Sequence, residues 1–191
     1  MSEVAKVHTP QTAESVASQL SQAWQAEIGG AVPPAVLALM LALSDLETAT
    51  FGSGFFNHNY GNIIATSEGQ PFYRGIDSGN KRKFRAYGSA ADGARGFVKQ
   101  LTRDSRKQWR EGLLTGDPEE FVRSLNGQRG GPSYFEAGFD HYLKTFMGRW
   151  QRYRVPEVET PDPKASPPKA GGLLVAGLLG LGAWAIWKRK S

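Results

Sequence analysis

The spacing of apolar positions changes several times along the chain, and each change predicts an element. After Thr9-Pro10, which reads as a helix cap and first helical position, Val16, Leu20, Ala23, Trp24 and Ile28 recur at three- and four-residue steps. That spacing predicts an amphipathic helix. Gly29-Gly30 stops it and Pro33-Pro34 restarts the chain. The run AVLALMLALSDLETATF is then apolar on nearly every side, as befits a helix at the centre of a small core, and carries its acids Asp45 and Glu47 only near its far end. Gly52, Gly54 and the segment FFNHNYGNII predict a loop packed at the end of that helix.

Residues 71–77 (PFYRGID) and 81–87 (KRKFRAY) flank Ser78-Gly79-Asn80, the chemistry of a hairpin connection. Ser89 with Asp92 three residues on resembles a capping box and opens a helix through Ala94, Phe97, Val98 and Leu101. A shorter amphipathic piece covers residues 109–114, and Asp117-Pro118 caps a helix carrying Phe121, Val122 and Leu125. Ser133 with Glu136 opens the last, through Phe139, Tyr142, Leu143 and Phe146. The predicted fold class is α+β, mainly helical with one small β hairpin lobe.

The end of the chain has a different texture. Residues 154–170 contain five prolines and charges of both signs, and read as an extended linker. Residues 171–187 (GGLLVAGLLGLGAWAIW) are uncharged, and a helix of that length reaches roughly 26 Å, so a single C-terminal transmembrane helix is expected there. Trp184 and Trp187 suit an interfacial belt, and the basic tail 188–191 a cytoplasmic stop. Gly172, Ala176 and Gly180 form a small-residue stripe that suits self-association of such helices. The expected organisation is a tail at 1–10, one globular domain at 11–153, the linker, the anchor and the basic tail. The expected localisation is a single-pass membrane protein, of a virion membrane or a bacterial cell envelope, with the lipid bilayer as a partner.

Composition narrows the chemistry. The chain of 191 residues has no cysteine, which excludes a disulfide scaffold and a thiolate metal site. His8, His58 and His141 show no metal-ligand spacing, and no phosphate-cradling motif is present, so neither a metal nor a cofactor is expected. A net charge of +5 favours anionic partners without choosing among them. Lys81, Arg82, Lys83 and Arg85 read first as a solvated hairpin surface, and nucleic acid ranks last among partners. Glu47 is the candidate for chemistry. A carboxyl half-buried against Phe51, Phe55 or Tyr60 would keep its proton near neutral pH and donate it to a leaving oxygen.

Four segments in order, LALSDLETATFGSGFFNHNYGNI, KFRAYGSAADGARGFVKQL, DPEEFVRSLNG and SYFEAGFDHYL, resemble the glucosaminidase and lysozyme-like peptidoglycan hydrolases, the group of autolysins, flagellar muramidases and phage lytic enzymes. The resemblance covers roughly residues 11–150 and implies a lysozyme-like fold with Glu47 as the catalytic acid. It implies that Asn59, Tyr60 and Asn62 line the sugar cleft, that Tyr87 belongs to the strand-to-helix joint beside it, and that Tyr134 is a late aromatic on the cleft side. The run Thr48-Ala49-Thr50-Phe51-Gly52 departs from the Gly-x-Gly that usually follows the acid. Glycan cleavage usually needs a second group, and Asp77, ahead of Glu68, is the acid available on the opposite lobe. The function expected is membrane-anchored cleavage of peptidoglycan glycan strands, N-acetylglucosaminidase-like, as in a virion enzyme that opens the wall at entry. The alternatives are a muramidase or lytic transglycosylase on the same polymer, and a non-catalytic membrane-anchored structural or wall-binding protein.

Overall fold

The most apolar helix lies at the centre. The computed structural model describes residues 2–67, 69–75, 82–127, 133–135 and 137–154. Helix α1 (Ala13–Glu27) and helix α2 (Pro34–Glu47) are followed by a single turn, α3 (Ala49–Gly52). Strands β1 (Phe72–Arg74) and β2 (Lys83–Arg85) come next, then α4 (Ala90–Thr102), a 3₁₀ turn at Asp104–Arg106, α5 (Lys107–Leu114), α6 (Pro118–Leu125) and α7 (Phe139–Tyr153). Helix α2 buries Val36 and an unbroken run from Ala38 to Leu43 among α1, α5 and α7. Each large side chain so buried contributes roughly 1.5–3 kcal/mol, which is why a helix with no capping side chain holds here.

Two helix starts agree with the polar pattern of the sequence and two depart from it. Ser89 and Asp117 cap α4 and α6 as expected, each accepting a bond from the backbone N–H three residues on. Helix α1, however, is capped by Thr12, not Thr9. Thr9 instead accepts the His58 N–H at 3.0 Å and donates its own N–H to Phe55 O, so it serves the loop after α3. The last helix begins after Gly138 rather than at Ser133. Ser133 spends its hydroxyl on Phe135 O and Tyr134 N–H bonds Leu125 O, which holds this stretch across the domain as a strap.

The two strands pair antiparallel with Tyr73 opposite Phe84. Ile64 bridges to Phe84 on one edge and Glu3 to Phe72 on the other, so the hairpin carries a short extended segment on each side. Alternation along β2 sends Phe84 to one face with Arg82, while Lys83 lies 4.8 Å from the Phe72 ring and Arg85 4.8 Å from the Tyr87 ring.

One expectation is corrected. No helix among the described residues is long and apolar enough to cross a membrane. The most apolar of them, α2, has 14 residues, about 21 Å, and is enclosed by its neighbours. The segment 171–187 lies outside the described residues. Among the described residues the fold class is therefore α+β, with no helix that could cross a membrane. The expected single-pass localisation in a virion membrane or cell envelope, the bilayer as partner and self-association through such a helix find no support in them.

Candidate active site

Glu47 is the last residue of α2, and the chain turns sharply beyond it. Thr48 donates its hydroxyl to Ser44 O at 2.6 Å and accepts the Phe51 N–H at 3.2 Å, closing the helix with one side chain. Ala49, Thr50 and Phe51 all have φ between 49° and 62°, a left-handed turn built without glycine. Each such residue costs about 1–2 kcal/mol relative to a right-handed one. The turn drives Phe51 into the core beside Tyr153 and brings Gly54 N–H back to Thr48 O. A Cβ on Gly54 would meet the Thr48 carbonyl carbon at 3.0 Å, so glycine is needed at this return.

The following loop folds around Asn59. Its buried amide donates to Ile63 O and Arg85 O, and its side-chain oxygen accepts the Ile63 N–H at 2.8 Å. This cradle fixes the strained residue Asn62, φ 48°, with its amide 2.5 Å from Glu47 O and 3.4 Å from Glu47 Oε2. Tyr142 of α7 donates its hydroxyl to Glu47 Oε1 at 3.0 Å. Tyr134, on the strap before α7, donates to Gly61 O at 2.7 Å. A side chain at Gly61 would collide with Phe97 and the Tyr134 hydroxyl, so the glycine permits that closure.

These groups border a cleft of about 360 Å³. Glu47, Asn62 and Tyr134 line it together with Ile64, Phe84 and Trp109, a mixture of amide, hydroxyl and apolar surface. Burial pushes the Glu47 carboxyl above its usual range, opposed by the hydrogen bonds from Tyr142 and Asn62. Burial, and then the Glu47 charge, push both Tyr134 and Tyr142 well above the ordinary phenol range. The hydroxyl groups around Glu47 are thus fixed donors, and Glu47 is the group that titrates.

Not every predicted residue reaches the cleft. Asn59 is buried and acts on backbone. Tyr60 is fully buried, edge-on to Phe55 and beside Phe97, and Phe51 and Phe55 are core as well. None of these three aromatics borders the cleft with Glu47; that role belongs to Tyr134, while Tyr142 donates to the Glu47 carboxyl. Tyr87 is half-buried against Gly96 and Arg85, away from the cleft lining. Asp45 faces α7, where Arg149 lies at 3.1 Å and the Tyr153 hydroxyl at 2.6 Å. Asp77 and Glu68 lie outside the described residues. The sequence marks Tyr142 and Trp109 only as helix positions, because helical spacing does not tell a core contact from a cleft contact, and it carries no signal that picks out Arg103 and Arg106.

No protein-family model matches the chain, and no curated protein matches it. Among solved structures, it is similar to the glycoside hydrolase domain of Salmonella typhimurium FlgJ, at 22% identity and a TM-score of 0.48, over 74% of this chain and 88% of that one.

Proposed function

We propose that this protein cleaves the glycan strand of peptidoglycan in the manner of an N-acetylglucosaminidase, with Glu47 as the general acid. The observation that carries the reading is the Glu47 carboxyl itself. It is desolvated at the end of a core helix, open to a cleft, and held by Tyr142 and Asn62 in one orientation. A carboxyl whose charged form is disfavoured keeps a proton that an exposed glutamate would have lost. Donating that proton to the glycosidic oxygen lets the C1–O bond break without expelling an alkoxide, and an attacking water then completes the hydrolysis. Asn62 and Tyr134 offer amide and ring surfaces suited to the acetamido groups and apolar faces of amino sugars. The motif resemblance across residues 11–150 supports the choice of polymer.

The test uses the full chain and its Glu47→Gln variant on purified peptidoglycan, followed by turbidity and fragment mass. Wild-type protein is expected to release fragments, and the variant to lose about 10²–10⁴-fold in rate with unchanged folding. New reducing ends on N-acetylglucosamine support the glucosaminidase. Reducing ends on the muramic sugar, or anhydro ends lighter by one water, would replace it with the muramidase or transglycosylase. A wild type that binds the wall and releases nothing would leave a binding module in its place.

A further inference from the structure

The cleft that holds Glu47 also carries three arginines, and the reaction assigned to Glu47 uses none of them. Arg82 enters from the sheet, on the same face as Phe84. Arg103 ends α4, and the Arg106 N–H bonds Arg103 O at 2.9 Å across the 3₁₀ turn. Residues three apart in such a turn project to the same side, so both guanidinium groups are delivered to the cleft. Arg106 is clamped by its ring partner, with its guanidinium carbon 3.9 Å from the centre of the Trp109 ring.

Among the described residues, Arg103 and Arg106 lack the acids that accompany neighbouring cations. One turn earlier, Arg95 and Lys99 share Glu27 at 3.4 and 3.3 Å, and one turn later Arg110 faces Asp104 at 4.0 Å. Among the described residues, neither Arg103 nor Arg106 has a carboxylate ion-pair partner. Burial, and then the adjacent Arg103 charge, bring Arg106 down to about 10. Arg106 therefore holds its charge against both desolvation and repulsion, a cost that an incoming anion would relieve. The side-chain hydrogen bonds to the Glu47 carboxyl come from Tyr142 and Asn62, not from these arginines, so the role assigned to the acid does not involve them.

We infer that Arg82, Arg103 and Arg106 form a subsite for a carboxylate of the peptide substituent carried by the glycan strand. This inference rests on the glycan-cleaving reading of the cleft. Planar guanidinium groups grip carboxylates through paired hydrogen bonds, and a strand stripped of its peptides would offer Arg103 and Arg106 no carboxylate. The subsite would direct cleavage to peptide-bearing stretches of the polymer. Wall phosphodiesters share the charge, so the experiment must separate the two sources.

The probes are sacculi freed of phosphate polymers, either intact or with their peptides removed by an amidase, and intact sacculi that retain phosphate polymers. Full-length wild type, Glu47→Gln, Arg103→Gln/Arg106→Gln and Arg103→Lys/Arg106→Lys are compared with Lys144→Gln/Arg154→Gln, which removes the same charge from α7 and its end. Retention at rising salt and initial rate are read for each, with thermal melting as the folding control. Wild type and Glu47→Gln are expected to hold phosphate-free peptide-bearing sacculi about tenfold more tightly than stripped ones. The glutamine pair should lose that preference and raise KM with kcat little changed; the lysine pair should regain part of it, and the α7 pair should match wild type. Equal retention on both phosphate-free polymers, or a preference that survives in the glutamine pair, would overturn the subsite. So would a preference that appears only where phosphate polymers remain. Peptide-dependent retention without released fragments would sink the hydrolase and leave the subsite standing, whereas equal cleavage of both polymers would do the reverse.

Discussion

At Glu47 the cost of burial falls on the charged form, and this has consequences for both activity and stability. The general acid works protonated, so the rate should fall as pH rises through the Glu47 pKa, which burial sets above the ordinary carboxyl range. Removing the Tyr142 hydroxyl deletes a bond that favours the carboxylate. Tyr142→Phe is therefore expected to move the alkaline limb of the kcat/KM profile to higher pH, and a limb that stays put would disconnect Tyr142 from the acid. In stability the folded state binds the Glu47 proton more tightly than the unfolded chain does. That contribution is fully present below the unfolded carboxyl pKa of about 4.3 and is lost as pH rises through the folded value. Glu47→Gln should accordingly melt above wild type at neutral pH, with the gap closing as the buffer approaches pH 4. Sequence alone pointed to Glu47 through its place at the end of an apolar helix. It assigned the wrong neighbours, since Phe51, Phe55 and Tyr60 are core and the partner is a tyrosine 95 residues away.

The elements around the site are joined by two features of opposite sign. The left-handed turn at Ala49, Thr50 and Phe51 is strained, and Ala49 is exposed with φ 49°. Ala49→Gly relieves that strain at some cost in unfolded-chain entropy, and a net gain of about 0.5–1 kcal/mol is expected from denaturant unfolding. A loss instead would mean the turn is not left-handed in solution. On the other side of α2, Asp45 is fully buried and tied to α7 by Arg149 at 3.1 Å and Arg152 at 3.5 Å. Arg149 also donates to Thr50 Oγ1 at 2.8 Å, so one guanidinium joins α7 to both α2 and the strained turn. Arg149→Met should cost about 3 kcal/mol, because it leaves a buried carboxylate with one exposed cation and a tyrosine. An unchanged melting temperature would show that Arg152 and Tyr153 suffice. The apolar spacing of α1, α2, α4 and α6 and the two strands at Phe72–Arg74 and Lys83–Arg85 were legible in the sequence because each is a local property. The start of α7 was not. Ser133 matches a capping pattern, but Tyr134 reaches Gly61, 73 residues away, and that tertiary bond holds the strap out of the helix.

Across the whole described fold, the N-terminal residues act as an external brace. Val4 N–H bonds Phe72 O at 2.8 Å, and Phe72 N–H bonds Ser2 O at 3.1 Å, which covers the outer edge of β1. Asn57 then takes the Val7 N–H at 2.9 Å and gives its amide to Ala5 O at 2.9 Å. The same short segment thus touches the sheet on one side and the loop that carries Asn59 and Asn62 on the other. Its energetic weight is small. Each of these bonds nets about 1 kcal/mol, ordering a residue costs about 1–2 kcal/mol, and Val4 and Val7 remain exposed. Removing residues 1–8 should therefore shift global stability by less than about 1 kcal/mol while loosening what the segment touches. The expected signature is faster amide exchange at Phe72 and Asn57, with helix α2 unaffected, and a lower kcat through the link from Asn57 to the Asn59 cradle. Asn62 would then hold Glu47 less rigidly, and a disordered acid protonates its substrate less often. If exchange rises uniformly across α2 and α4 as well, the segment is part of the cooperative core rather than a brace on the site. If neither exchange nor kcat changes, the geometry at Asn62 is fixed by Asn59 alone.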